Sequence, residues 1–188
     1  MFQSFDELVL KAKNNPKKIC VASAEDEHVF EAIIRAQKEG IAHFVLTGEE
    51  EALQNLIKKH KANPKDFEIV PASSFEDSAK KAVQVVASGK AEAIMKGLTP
   101  SPTFLKAILT DGAGLKIEGN LLAHVALMKV PAWHKMFLAS DCAVNIKPSA
   151  QEKKQIIGYN IKVAKKLGMV APKVALVTAS EVVNPKMK

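Results

Sequence analysis

Apolar positions along this chain follow two rhythms, and they alternate. Short unbroken runs at Lys18-Ile19-Cys20-Val21-Ala22-Ser23, His43-Phe44-Val45-Leu46-Thr47-Gly48, Phe67-Glu68-Ile69-Val70 and Ala93-Ile94-Met95 read as buried strands. Between them the period lengthens. Glu27 to Lys38 puts Val29, Ile33, Ile34 and Ala36 on one helical stripe and closes at Gly40. Glu49 to His60 turns Leu53, Leu56 and Ile57 inward, and Ser74 to Ala87 opens on Glu76 and Asp77, the charge sign that suits the positive end of a helix. A turn rich in Ser, Thr and Pro follows the fourth strand, then a helical pattern through Leu109. Continuously apolar strands separated by amphipathic helices are those of a parallel sheet covered on both faces. The predicted fold class is therefore α/β, a three-layer and mostly parallel sheet.

The rhythm then changes. Leu121 to Val130 and Met136 to Ala139 are apolar runs joined by Pro131-Ala132-Trp133-His134, a connection short enough for an antiparallel pair. A long helix, Gln151 to Leu167, is entered through Pro148-Ser149 and ended by Gly168. Val174 to Thr178 reads as one more strand, and Ala179 to Pro185 as the start of a βα loop. We place a first α/β domain at residues 1–148 and the incomplete start of a second at 149–188. A central apolar strand with no covering helix leaves apolar surface bare. The expectation is a shortened chain, or a module completed by another chain.

Candidate chemistry concentrates where the fourth strand ends, at Met95-Lys96-Gly97-Leu98-Thr99-Pro100-Ser101-Pro102-Thr103. Ligands of parallel sheets sit at the carboxyl ends of strands, an edge that also holds Ala24-Glu25-Asp26 and Thr47-Gly48. The turn offers one ammonium, three hydroxyls and the N–H groups of a helix start, all of which suit an anion such as phosphate. Ser and Thr before a helix are also ordinary caps, and Glu25 and Asp26 have the same plain reading.

Composition narrows the classes. The chain has 188 residues and a net charge of +7, carried by 26 lysines and a single arginine, Arg35. Readers of DNA sequence rely on arginine forks, and single-strand binders on aromatic platforms. Aromatic residues are 5% here and do not alternate with basic ones, so no nucleic-acid partner is expected. The apolar runs are too short to span a bilayer, and the first residues lack the pattern of a secretory signal. We expect a cytoplasmic protein with no membrane partner. Cys20 and Cys142, both in apolar surroundings, read as two buried free thiols. Two cysteines and five scattered histidines suggest no metal site.

Several segments together resemble the phosphate acetyltransferase and phosphate butyryltransferase family, closer to the butyryl branch. They are Met95-Lys96-Gly97-Leu98, Gly114-Leu115-Lys116, Leu122-Ala123-His124-Val125-Ala126, Ser140-Asp141-Cys142-Ala143-Val144-Asn145-Ile146-Lys147-Pro148, Pro172-Lys173-Val174-Ala175-Leu176 and Glu181-Val182-Val183-Asn184-Pro185-Lys186-Met187. The resemblance implies two α/β domains, similar in architecture to isocitrate and isopropylmalate dehydrogenases, with the active site in the cleft between them. It implies the reaction acyl-CoA + phosphate ⇌ acyl phosphate + CoA, with CoA as a substrate, no cofactor, no metal, and a dimeric protein. The chain departs from the family in length. The serine, arginine and aspartate usually given central roles lie beyond Lys188, so activity is expected to be absent or impaired. Lys106 and Lys116 stand where family arginines are common, and lysine supplies charge without the planar fork.

Attack of a thiol on an acyl phosphate needs a base, phosphate donors and a stabiliser for the oxyanion. The candidates for phosphate and CoA are Lys96, Gly97, Thr99, Ser101, Thr103, Lys106 and Lys116. The catalytic candidates are His124, Asp141 and Asn145, with Asp141 orienting a donor or assisting proton transfer. The plain alternatives are a rim histidine, an Asx turn at Asp141 and surface lysines. A non-catalytic phosphate- or CoA-binding module is the second reading. A dehydrogenase is the third, weakened by the lack of a metal-binding aspartate cluster or a nicotinamide loop.

Overall fold

The computed structural model describes residues 2, 4–178 and 182. The chain divides into two compact units. One runs Phe5–Asn120, and the other joins the residues before Phe5 to the chain from Leu121 onward.

The first unit opens on α1 (Phe5–Lys13), followed by β1 (Lys17–Ala22), α2 (Glu27–Lys38), β2 (Ala42–Gly48), α3 (Glu50–Lys59), β3 (Phe67–Pro71), α4 (Phe75–Ala87), β4 (Ala93–Lys96) and α5 (Ser101–Leu109). Its four strands are all parallel, in the order β3-β2-β1-β4. Alternation along each strand sends neighbouring side chains to opposite faces. Val21, Phe44 and Leu46 pack with Phe30, Ile33, Leu53 and Ile57 of α2 and α3. Cys20, Ala22 and Val45 pack with Ala82, Val85 and Phe104 of α4 and α5. The result is the three-layer α/β arrangement that the apolar runs predict. The helices start where local chemistry says they should: Asp26 Oδ1 accepts from Val29 N at 3.0 Å, and Ser74 Oγ from Asp77 N at 3.1 Å.

The second unit holds β5 (Ala126–Met128) and β6 (Phe137–Ala139), paired antiparallel with Leu127 opposite Leu138, and α6 (Ala150–Lys166). A reciprocal capping box between Ser149 and Glu152 starts α6.

Three findings correct the sequence reading. Residues 174–178 are not a strand; Val174, Leu176 and Val177 are exposed. A strand needs a ladder partner, and among the described residues none runs beside them. The βα loop expected after them lies, apart from Val182, outside the described residues. Cys142 is exposed, because it sits in the loop after β6 and not in a packed element; only Cys20 is buried, and both thiols are free. Burial pushes the Cys20 thiol up to about 12, with the Glu68 charge adding to it, so it behaves as a small apolar side chain. Finally, α1 adds a helix that the sequence reading lacks, although Phe5, Leu8, Val9 and Ala12 follow the helical period.

Candidate functional site

In the order β3-β2-β1-β4, the chain leaves β1 toward β2 and later reaches β4 on the other side of β1. The carboxyl ends of β1 and β4 therefore flank the point where the winding reverses, the place where open parallel sheets hold ligands. Two loops meet there, residues 23–26 after β1 and residues 97–100 after β4. Their backbones are stitched together: Gly97 N donates to Ala22 O and Leu98 N to Ser23 O, each at 2.8 Å. Gly97 has no room for a side chain, since a β-carbon there would lie 2.2 Å from Ser23 O.

Lys96, the last residue of β4, turns its ammonium back onto this loop, donating to Gly97 O and Thr99 O at 3.1 Å each. An ammonium has three N–H bonds, so one stays available to an anion. Thr99 is fully buried, and its hydroxyl shares a 2.6 Å hydrogen bond with Ser23. It holds the loop down. Ser101 and Thr103 occupy the first turn of α5, whose N-cap is Pro100 and carries no side-chain cap. Lys106 lies five residues further along α5, about 8 Å along the helix axis, and is exposed. Lys116 pairs with Asp111 at 2.7 Å. The 96–103 turn is thus one assembly, and these two lysines are surface groups outside it.

Beneath the loop lies a hydroxyl network that sequence reasoning missed. Ser78 Oγ accepts from Ser23 N at 2.7 Å and meets Thr47 Oγ1 at 2.7 Å; Thr47 Oγ1 donates toward Val21 O or Ser78 O. Ser23, Thr47, Ser78 and Thr99 are all buried. Satisfied buried networks of this kind fix one arrangement of the loops they join. The available signal was Ser78 on the otherwise apolar face of α4.

Asp26 caps α2, as the plain reading had it, but Glu25 does not. Its carboxyl lies against Gly48, where a β-carbon would come within 1.9 Å of Oε2. That oxygen is buried, with no hydrogen-bond partner among the described residues. Burial raises the Glu25 pKa, the Glu49 charge adds to this, and backbone N–H groups of Glu25 and Glu49 oppose it. A carboxyl with a raised folded pKa favours folding below its unfolded value of about 4.3, and that advantage is lost as pH rises through the folded value. Glu25→Gln should therefore be more stable than the parent at pH 7, with the gain vanishing in acid. Denaturant unfolding at both pH values checks this, and a variant less stable at pH 7 refutes it.

In the second unit, His124, Asp141 and Asn145 are brought together just before β5 and just after β6. The Asp141 carboxylate accepts from Val144 N at 3.0 Å, Ala143 N at 3.1 Å, His124 N at 3.4 Å and the Asn145 side-chain amide. Asn145 Nδ2 also donates to Leu122 O at 3.0 Å, and the Ser140 hydroxyl donates to His124 O. Partial burial opposes ionisation of Asp141, but these donors outweigh it and hold the pKa down at about 2. Such a carboxylate is a weak base near neutral pH, and its bond to His124 is to the backbone N–H. His124 Nδ1 is buried and lacks a hydrogen-bond partner among the described residues.

The profile of the phosphate acetyl/butaryl transferase family matches residues 4–81 and 50–188. The chain belongs to this family. Among members, a phosphate butyryltransferase of Clostridium acetobutylicum is 39% identical over 188 residues, covering all of this chain and 62% of the relative. A phosphate acetyltransferase of Thermotoga maritima is 35% identical over 182 residues, covering 97% and 61%. The crystal structure of a branched-chain phosphotransacylase from Enterococcus faecalis superposes with a TM-score of 0.74 at 32% identity, covering 91% of this chain and 59% of that one. The chain thus spans about three fifths of the length of the phosphate acyltransferases it matches.

Proposed function

We propose that this chain carries phosphate acyltransferase chemistry, acyl-CoA + phosphate ⇌ acyl phosphate + CoA, with a short acyl group. Family membership supports the reaction class. The observation that carries the site is the Lys96 ammonium, clamped by two loop carbonyls beside the uncapped start of α5 at the sheet's winding reversal. In this reading Lys96, with the first-turn amides and hydroxyls of Ser101 and Thr103, binds phosphate or the CoA phosphates. Gly97 and Thr99 shape the loop, and Lys106 and Lys116 add positive potential. His124 acts as donor to the reacting group, on a backbone held by Asp141 and Asn145. No metal or prosthetic group takes part in the transfer, and CoA is a substrate. Residues 1–148 act as the first α/β domain and 149–188 as part of a second. The protein works as a dimer in the cytoplasm. Among the described residues no helix is long and apolar enough to cross a membrane.

The test is calorimetric titration of CoA and of inorganic phosphate into the 188-residue chain, beside an assay of phosphate-dependent CoA release from acetyl-CoA and butyryl-CoA. Lys96→Ala should weaken binding by about tenfold, the worth of one charge-assisted hydrogen bond. Turnover of the 188 residues alone should fall far below the ordinary enzymatic value of about 10 per second. Binding unchanged in Lys96→Ala removes that residue from the site.

A second reading, a binding module completed by another chain, is favoured by one feature. Val170 and Val177 are 93% and 89% exposed in the second unit. A monomeric mass in solution with these residues still exposed would count against it.

A further inference from the structure

We propose that Glu27, Glu31 and His60 form a binding site for a divalent transition-metal cation of the zinc type. Glu27 and Glu31 are four residues apart on α2, so their side chains share one face. His60 caps the carboxyl end of α3 through its backbone, and its ring packs on Phe30 with centroids 5.6 Å apart. This packing holds the imidazole in place. His60 Nε2 lies 2.6 Å from Glu27 Oε1, and one ligating atom from each of the three residues falls within 4.8 Å of the others. Three protein donors with an open position is a recurring zinc arrangement.

The surroundings select the cation. Lys59 Nζ binds the other Glu27 oxygen, Oε2, at 2.8 Å and offsets one charge, and an ion would replace the hydrogen bond between Glu27 Oε1 and His60 Nε2. Calcium and magnesium seek six or more oxygen ligands and a high local negative charge. Two carboxylates, one of them half-neutralised, and an imidazole suit a borderline cation instead. Glu31 and His60 also line an open cleft of about 390 Å³, shared with Ile34, Arg35, Lys38 and Glu39, which leaves room for water on the ion. A bound ion would tie α2 to α3 and raise the melting temperature of the first unit by mass action. The site rests on this geometry alone and does not depend on the acyltransferase reading.

Titrating Zn2+ alone into the metal-free 188-residue chain should show one ion per chain and a rise in melting temperature. Glu31 is exposed, so Glu31→Gln keeps the fold, and affinity should fall at least about tenfold, since even partners of metal ligands are worth that much. His60→Ala should abolish binding, with circular dichroism confirming that the sheet persists. His43→Ala, a histidine outside the three donors, should bind as the parent does. Absence of Zn2+ binding, equal binding in Glu31→Gln and His60→Ala, or equal affinity for Mg2+ would each overturn the proposal.

Discussion

Gly97→Ala should destabilise the first unit by about 3 kcal/mol and scatter the loop that holds Lys96. The reason is space and not backbone freedom, because the Gly97 backbone does not adopt a positive φ. The added methyl would sit 2.2 Å from Ser23 O, 2.8 Å from Ala22 O and 2.9 Å from Ser23 C. All three are backbone atoms at the end of β1, a strand paired on both sides, so they cannot swing away as a side-chain tip would. The loop after β4 must move instead. That breaks the Gly97 and Leu98 bonds to Ala22 and Ser23, and pulls on the buried Thr99–Ser23 bond. Losing buried hydrogen bonds adds to the steric cost. The check is denaturant unfolding together with CoA titration; Gly97→Ala with parental stability and affinity would show that the two loops are not pressed together as described.

Asp141→Ala should cost the second unit about 2 kcal/mol near neutral pH and remove an acid-sensitive part of its stability. Four donors converge on this carboxylate, three of them backbone N–H groups. Alanine leaves them to whatever water reaches them. The pH sign follows from the lowered pKa. A carboxyl held at about 2 when folded, against 3.8 ordinarily, contributes stability that is present above 3.8 and is lost as pH falls toward 2. Other carboxylates with lowered pKa, such as Glu39, Asp77 and Glu92, are paired at the surface, where solvent screens their contribution. A fluorescence melt using Trp133, followed from pH 6 to pH 2, should show a decline in the parent that is smaller in Asp141→Ala. Parallel curves for the two proteins would refute the role of Asp141 as the loop's anchor.

Much of this molecule was written into its periodicity. Strands β1 to β4 and helices α2 to α6 lie within a few residues of the runs that predict them, because two rhythms of burial leave little choice of element. The short link around Trp133 likewise forced the antiparallel β5–β6 pair. Residues 174–178 carry a strand's apolar run without forming a strand, because such a run states only a wish to be buried, and pairing needs a neighbour.

Chemistry was legible as residue type but not as role. Lys96 and Thr99 look alike in the sequence as anion groups. Folding buries the Thr99 hydroxyl on Ser23 and leaves the Lys96 ammonium one bond short of saturation. Asp141 looks like a possible base, and the donors gathered around it make it an anchor. Strand order put β1 beside β4 and so located the winding reversal, which local pattern cannot express. Ser23, Thr47, Ser78 and Thr99 are spread over 76 positions, as Glu27 and His60 are over 33, and nothing near any one of them names the others. Local periodicity acts over a turn or two of helix or a few strand residues. These sites are made of contacts between elements, and such contacts exist only once the sheet has set its order.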